Sequence, residues 1–567
     1  MDPFNHNYFL GYVNQVSPQH VKIHFPSSIL LEKFSHNGVF FAGGNVGNFI
    51  VIEGEEFGFL ARIIEIELPD SERKTISEKA IQHDDTAFHP SGKAELLLSF
   101  SVFEPAKAEK TVSKYPAIGA KAYSCSDEQI EIYVKEFGKK KDDLENVYAE
   151  LGKLTSNDAN CKVSLNSIFG RHCAIVGTTG GGKSWTVAKL IEEVVTKTIN
   201  KVILIDATGE YSKITSNSLT LGIDAFFPYQ NLSISDLFFL LRPTGQSQRP
   251  VLLEAIRSLK VVRIAKEKNS TLIINTKKKS DSEKAKYYNF YQANIKEIED
   301  NSCNFDINFL IDQIKEECVY PTGYTDRLPD PKKWGGYDAK TYDYQTSLIG
   351  RISDLVNTEI FNKLLGFQGV PPGCSSIVER INEFITKNEE QVLRISFENI
   401  PSSFSVKEIT ANALASFLLN LARHGQFRPA PLILILDEAH QFLNKNIKDE
   451  FFESQTLDSF DLIAKECRKY GLFLCLSTQM PRDIPSGTLS QMGTFIVHRL
   501  INELDKKAIE SAASTANRSA ISFLPILGEG EALLVGVDFP MPLLIKISEP
   551  EMKPQSTTPR LGAKLVK

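Results

Sequence analysis

An eight-residue segment, Gly177–Ser184 (GTTGGGKS), restricts the fold of this chain more than any other feature. It fits G-x-x-x-x-G-K-[ST] without a gap. Consecutive glycines let backbone N–H groups converge on phosphate oxygens, where a side chain would obstruct them. The segment follows the apolar run CAIV (173–176) and opens the amphipathic stretch SWTVAKLIEEVVTK (184–197). A strand that delivers the loop and a helix that leaves it are the context such a loop requires. Gly177, Thr178, Thr179, Gly180, Gly181, Gly182 and Trp185 then form the cradle and first helical turn. Lys183 reaches the β- and γ-phosphates, and the Ser184 hydroxyl ligates Mg²⁺. The implied cofactors are ATP and Mg²⁺.

A cradle of this kind needs a carboxylate beside it. LILILDEAH (432–440) is an apolar strand ending in Asp437, which faces the Mg²⁺ shell, and Glu438, placed to orient the attacking water. The same acid pair would also suit a helix N-cap. LFLCLST (472–478) ends beside Gln479, whose amide can sense the γ-phosphate or simply be a satisfied polar group at a strand end. Catalytic candidates are therefore Lys183, Glu438 and Gln479, joined by an arginine that stabilises the transferring phosphoryl group. Arg171, Arg468 and Arg499 each sit near a core strand edge, and spacing does not separate them.

The runs CAIVG, KVILID, LILILD and LFLCLST are apolar throughout, as strands buried on both faces are. With helical stretches between them they predict an α/β parallel sheet. The first 120 or so residues differ: short β-branched and aromatic runs divided by Gly, Pro, Asn and Ser predict a small N-terminal β-barrel. No ligand constellation stands out there, which suits an assembly or docking role. The fold class is thus multidomain, a β-barrel followed by a P-loop core with a mostly helical insertion. The expected boundaries are 1–150 for barrel and linker, 151–212 and 389–548 for the core, 213–388 for the insertion and 549–567 for an extended C-terminal arm. Lys139–Lys141 reads as linker.

Hydrophobic residues make up 42% of the 567 and charged residues 24%, which excludes a mostly disordered or fibrous chain. No apolar run approaches membrane-spanning length and no secretory signal opens the chain, so a cytoplasmic protein without a membrane partner is expected. With 64 Lys and Arg against 70 Asp and Glu, the net charge of −6 confines any nucleic-acid site to a local patch or pore lining. The eight cysteines form no C-x-x-C pair, so structural zinc is not expected.

The ordered set RHCAIVGTTGGGKS, DATGEY (206–211), LILILDEAHQFL, IAKECRKYGLFLCLSTQMP and ALLVGVDFPMPLLIKISEP resembles the HerA branch of the HerA–FtsK ATPases. FLGYVNQVS, GNFIVIE and YPAIGAKAYSCSDEQI are similar to the HAS-barrel that precedes the HerA ATPase. The likeness covers both ends and the core, and is weakest over about residues 230 to 390. One departure is TTGGGKS where many relatives carry a TGSGKS ending. The resemblance implies RecA-like cores in a homo-hexamer, ATP sites between subunits, and double-stranded DNA moved through the central pore. It makes Arg171 the trans-acting finger, Arg468 an arginine that senses ATP from the adjoining strand region, and Glu210 a residue near the nucleotide. It also implies a separate effector, either a nuclease in DNA-end processing or a nuclease or sirtuin-like NAD hydrolase in antiphage defence.

Two other functions fit the same motifs. An ATP-gated scaffold ring would assemble an effector with little translocation, and a protein-remodelling P-loop ATPase would ignore DNA. A basic block from Arg257 to Lys286 carries ten cations against three acids. It is either a DNA contact or a solvated face.

Overall fold

The computed structural model describes residues 3–36, 39–41, 43–73, 88–109, 114–136, 146–155, 159–268, 275–387, 389–400, 405–443, 457–513, 518–539 and 541–555. Lys139–Lys141, part of the basic block and the last twelve residues of the expected arm lie outside them.

Six strands close the N-terminal barrel. They are β1 (Phe9–Val16), β2 (His20–His24), β3 (Phe49–Ile52), β4 (Phe57–Glu67), β5 (Ser91–Ser101) and, after β6 (Glu104–Glu109), β7 (Lys121–Ser124). The order β2-β1-β7-β3-β4-β5 returns to β2 through antiparallel pairing of His20–His24 with Ser91–Glu95, while β6 lies outside the closure on β5. Alternation along β3 shows how the barrel is welded on. Ile50 and Ile52 fill the barrel interior with Leu10, Val13, Ala61 and Ile63. Phe49 and Val51 point the other way, into a core shared with ATPase residues such as Ile175 and Leu190. A period of two thus lets one strand serve two cores.

The second unit is an eleven-stranded mixed sheet. Its strands are β8 (Tyr148–Leu154), β9 (Asn160–Ser164), β10 (Cys173–Val176), β11 (Lys201–Asp206), β12 (Ser218–Thr220), β13 (Val392–Ser396), β14 (Leu432–Leu436), β15 (Leu472–Thr478), β16 (Thr494–His498), β17 (Glu531–Gly536) and β18 (Leu543–Ile547). The order is β9-β8-β18-β17-β16-β10-β15-β14-β11-β13-β12. The segment from β16 to β12 is parallel and the other four strands run antiparallel. The sheet therefore begins at Tyr148, ahead of the expected boundary, and its far edge is β12, inside the segment expected to be insertion.

Uniformly apolar strands divide their side chains between two covering layers. Ala174, Val176, Ile203, Ile205, Leu434 and Leu436 face the core built with the insertion and the helix Val406–Arg423. Cys173, Ile175, Val202, Leu204, Ile433 and Ile435 face the helix α1 (Lys183–Lys197), through Val187, Leu190, Ile191 and Val194. The insertion carries helices that include Ile234–Leu241, Gln248–Glu267, Leu310–Glu317, Thr346–Asn357 and Ile377–Thr386. Its first helix starts on a Ser233–Asp236 capping box. All eight cysteines are free thiols, and seven are buried. Among the described residues no helix is long and apolar enough to cross a membrane.

Candidate nucleotide site

The glycine loop leaves the C-terminal end of β10, a strand flanked in parallel by β15 and β16. Gly180 and Gly182 take left-handed φ of 74° and 108°, which favours glycine. A Cβ on Gly177 would lie 2.6 Å from the His498 Cβ, so close backbone approach also demands glycine there. The loop is tied to its neighbours: Thr178 N donates to Arg499 O at 3.0 Å, and Gly530 N donates to Gly181 O at 3.3 Å. α1 then begins at Lys183, directing its first amides at the cradle. Trp185 is half-buried in that first turn, with the Lys553 ammonium 5.9 Å from its ring centroid.

Lys183 is 6% exposed, with Nζ 3.3 Å from Thr178 O. Burial lowers its pKa, against the opposing fields of Glu438, Asp437 and Glu210. Asp437 follows β14 and is 3% exposed. Its carboxyl is pushed up to about 7, chiefly by burial; the Ser477 hydrogen bond opposes this, while Glu438, Glu210 and Asp206 add to it. The Ser184 hydroxyl donates to Glu210 Oε2 at 2.8 Å. A hydroxyl beside crowded carboxylates fits a divalent cation, which would relieve their mutual repulsion. Among the described residues no His/Cys/Asp/Glu trio forms a self-sufficient metal cage.

Glu438 occupies the left-handed region at φ 46°, ψ 48°, a conformation that costs a non-glycine residue about 1–2 kcal/mol. Gln479 Nε2 donates to Glu438 Oε1 at 2.5 Å, and Gln479 Oε1 accepts from Thr179 Oγ1 at 2.5 Å. The glutamine therefore links the cradle to the acid. His440 Nδ1 stands 3.3 Å from Glu438 Oε2, and that oxygen has no aligned hydrogen bond among the described residues.

Three supporting residues escaped the sequence reading. Asp206, fully buried at the end of β11, accepts Gly209 N at 2.8 Å, Tyr211 N at 3.1 Å and the Arg394 Nε at 2.7 Å. It thereby shapes the turn that presents Glu210. The acid in DATGEY was visible, but its partner Arg394 is remote in sequence. His498 lies under the glycine loop: Nδ1 is 2.9 Å from Glu531 O and Nε2 is 2.8 Å from Thr186 Oγ1. A carbonyl only accepts, so Nδ1 carries the proton and Nε2 accepts from the threonine. Burial lowers the His498 pKa to about 4.

The arginines separate into two groups. Arg499 follows β16 and is clasped to Thr178 through its backbone, on the cradle side. Arg171 and Arg468 precede β10 and β15, so they lie at the opposite ends of these strands from the molecule's own cradle. Both line one cavity of about 300 Å³, with Lys465. Arg171 Nε donates to Asp538 Oδ2 at 2.8 Å. Arg468 thus stands with Arg171, away from the cradle of its own chain.

The basic block spends much of its charge locally. Arg257 pairs with Glu254 and Glu299, Arg263 with Glu267, and buried Lys279 with Glu317. Lys260 is 1% exposed and donates to Asp300 O. These pairs favour a structural face over a free DNA patch.

Residues 149–403 match the family described as "Helicase HerA, central domain", and residues 412–549 match "Helicase HerA-like C-terminal". The chain belongs to the HerA-type ATPases. As such it is an ATP-hydrolysing enzyme. It is 24% identical over 477 residues to "Probable helicase MJ1565" of Methanocaldococcus jannaschii, covering 82% of this chain and 78% of that one. It is 23% identical over 434 residues to the DNA double-strand break repair helicase HerA of Sulfurisphaera tokodaii, covering 74% of each. Solved structures similar to this HerA-type chain include the bacterial conjugative coupling protein TrwB, at 13% identity and a TM-score of 0.41, over 74% of this chain and 92% of that one. VirB4 of Thermoanaerobacter pseudethanolicus matches at 16% identity and a TM-score of 0.41, over 70% and 96%.

Proposed function

We propose that the protein is the ATP-driven motor of a homo-hexameric ring that moves double-stranded DNA and serves a separate effector, a nuclease or a sirtuin-like NAD hydrolase, in DNA-end processing or antiphage defence. The observation that carries the ring is the position of Arg171 and Arg468. β10 has four residues, so its ends stand about 13 Å apart at about 3.3 Å per residue. With their own cradle at the other end of the sheet, the two arginines serve a nucleotide held by a neighbouring subunit. DNA as the substrate rests on the relatives named as DNA repair helicases.

In this reading the glycine loop binds the β- and γ-phosphates through backbone N–H groups, and Lys183 neutralises their charge. Ser184 and Asp437 would hold a magnesium ion, which would supply neutralising positive charge to the phosphates when bound. Glu438 orients the attacking water and accepts its proton. Gln479 senses the γ-phosphate: an oxygen arriving near Thr179 competes for the contact that now holds the amide, and so resets Glu438. The neighbour's Arg171 completes the site by stabilising the charge that spreads over the departing phosphoryl group.

Subunit mixing tests the shared site. Arg171→Ala and Lys183→Ala proteins should each be inactive in ATP hydrolysis, with nucleotide binding retained in Arg171→Ala. Mixed together, they should regain a fraction of wild-type turnover, because some interfaces pair an intact cradle with an intact finger. No recovery in mixtures shown to co-assemble would remove the trans assignment.

A further inference from the structure

Strand β4 carries a residue that neither the barrel closure nor the nucleotide site uses. Arg62 is 1% exposed. Its Nη2 donates to Glu95 Oε2 at 3.1 Å, and the guanidinium carbon stands 5.4 Å from the centroid of the Phe523 ring. Nε and Nη1 are buried and have no hydrogen-bond partner among the described residues. Leaving guanidinium donors unspent away from water is costly, and native proteins seldom do so without a ligand or water to meet them.

Arg62 also borders a cavity. Where the barrel meets the ATPase unit, a space of about 360 Å³ is lined by residues that include Lys33, Asn45, Asn48, Arg62, Phe523 and Glu531. Two cations and two side-chain amides thus meet a single carboxylate, and Glu531 Oε2 already accepts Gly528 N at 2.7 Å. The Asn48 amide nitrogen is turned to Gly43 O at 3.3 Å. Arg62, paired with Glu95, lies at the buried end of the wall, and Lys33 lies at its exposed mouth.

We propose that this seam cavity binds a small ligand through an oxyanion, a carboxylate or a phosphate, with Arg62 as the buried donor and Lys33 at the mouth. Its placement connects it to the cradle. Glu531 O accepts from His498, which props the glycine loop, and the adjoining Gly530 N donates to Gly181 O. An occupant touching Glu531 therefore meets the turn that supports the phosphate loop. Nothing in the hydrolytic reading requires this site, and it stands or falls separately.

The test is calorimetric titration of the full-length protein with inorganic phosphate and, separately, with succinate, under saturating ADP so that the cradle is filled. At least one anion should give saturable binding, and which one responds distinguishes a phosphate site from a carboxylate site. Arg62→Met should weaken that binding about tenfold or more, equivalent to losing about 1.4 kcal/mol. Lys33→Glu, an exposed change at the mouth, should weaken it several-fold and decides alone if Arg62→Met does not fold. The absence of saturable heat with both anions would overturn the proposal. So would wild-type affinity in Lys33→Glu.

Discussion

Glu438 shows how this site concentrates constraint in single side chains. A buried acid in left-handed backbone is held on one side by Gln479, which is held in turn by Thr179 of the cradle. Glu438→Gln should retain ATP binding and lower kcat about 10²–10⁴-fold, the usual contribution of a positioned base. Equilibrium nucleotide binding alongside steady-state turnover checks this, and loss of binding would argue against the assigned role. Histidines make a second prediction at this scale. Burial lowers His172 and His498 from 6.5 to about 4, so between those values the folded protein binds fewer protons than the unfolded chain. Their stabilising contribution is complete above about pH 6.5 and is lost as pH falls towards 4, at about 1.4 kcal/mol per pK unit. Urea unfolding at about pH 7.5 and pH 5 should show that loss, and His498→Gln should reduce it. An unchanged pH slope in the variant would contradict the assigned neutral histidine.

At the scale of elements, the turn after β11 depends on one buried ion pair. Asp206→Asn leaves the Arg394 guanidinium, 3% exposed, without its buried counter-charge and with only the more exposed Glu398 at 4.0 Å. Breaking such a pair costs about 3–5 kcal/mol. The expected result is a lower Tm together with reduced turnover, since Glu210 is presented by the same turn; a wild-type Tm would show that the pair is dispensable. The elements differ in how legible they were. β10, β11, β14 and β15 could be read from sequence because strands covered on both faces are apolar throughout. Barrel closure joins His20–His24 to Ser91–Glu95 across intervening strands, a pairing that periodicity does not encode. Asp206 and Arg394 meet across parallel neighbours that lie far apart in the chain. His498 was hidden because VHRL reads as an ordinary strand end. The basic block misled in a different way: its neutralising partners Glu254, Glu299 and Glu317 lie outside the counted window.

At the scale of the whole molecule, the barrel and ATPase unit share a continuous apolar core through Phe49, Val51, Leu98 and Phe100. The C-terminal segment crosses toward the nucleotide site, with Gln555 N donating to Glu210 O at 2.7 Å. The cradle is therefore linked by packing and hydrogen bonds to both ends of the described chain. The proposed drive of DNA through this connection has a direct measurement. Steady-state ATP hydrolysis is followed with and without linear double-stranded DNA at low and high salt, with Glu438→Gln as the blank. The expected result is DNA-stimulated turnover that fades as salt rises, because phosphate contacts release counterions. Turnover indifferent to DNA at both salts, with and without the effector bound, would contradict a DNA motor and favour a ring that uses ATP to gate assembly.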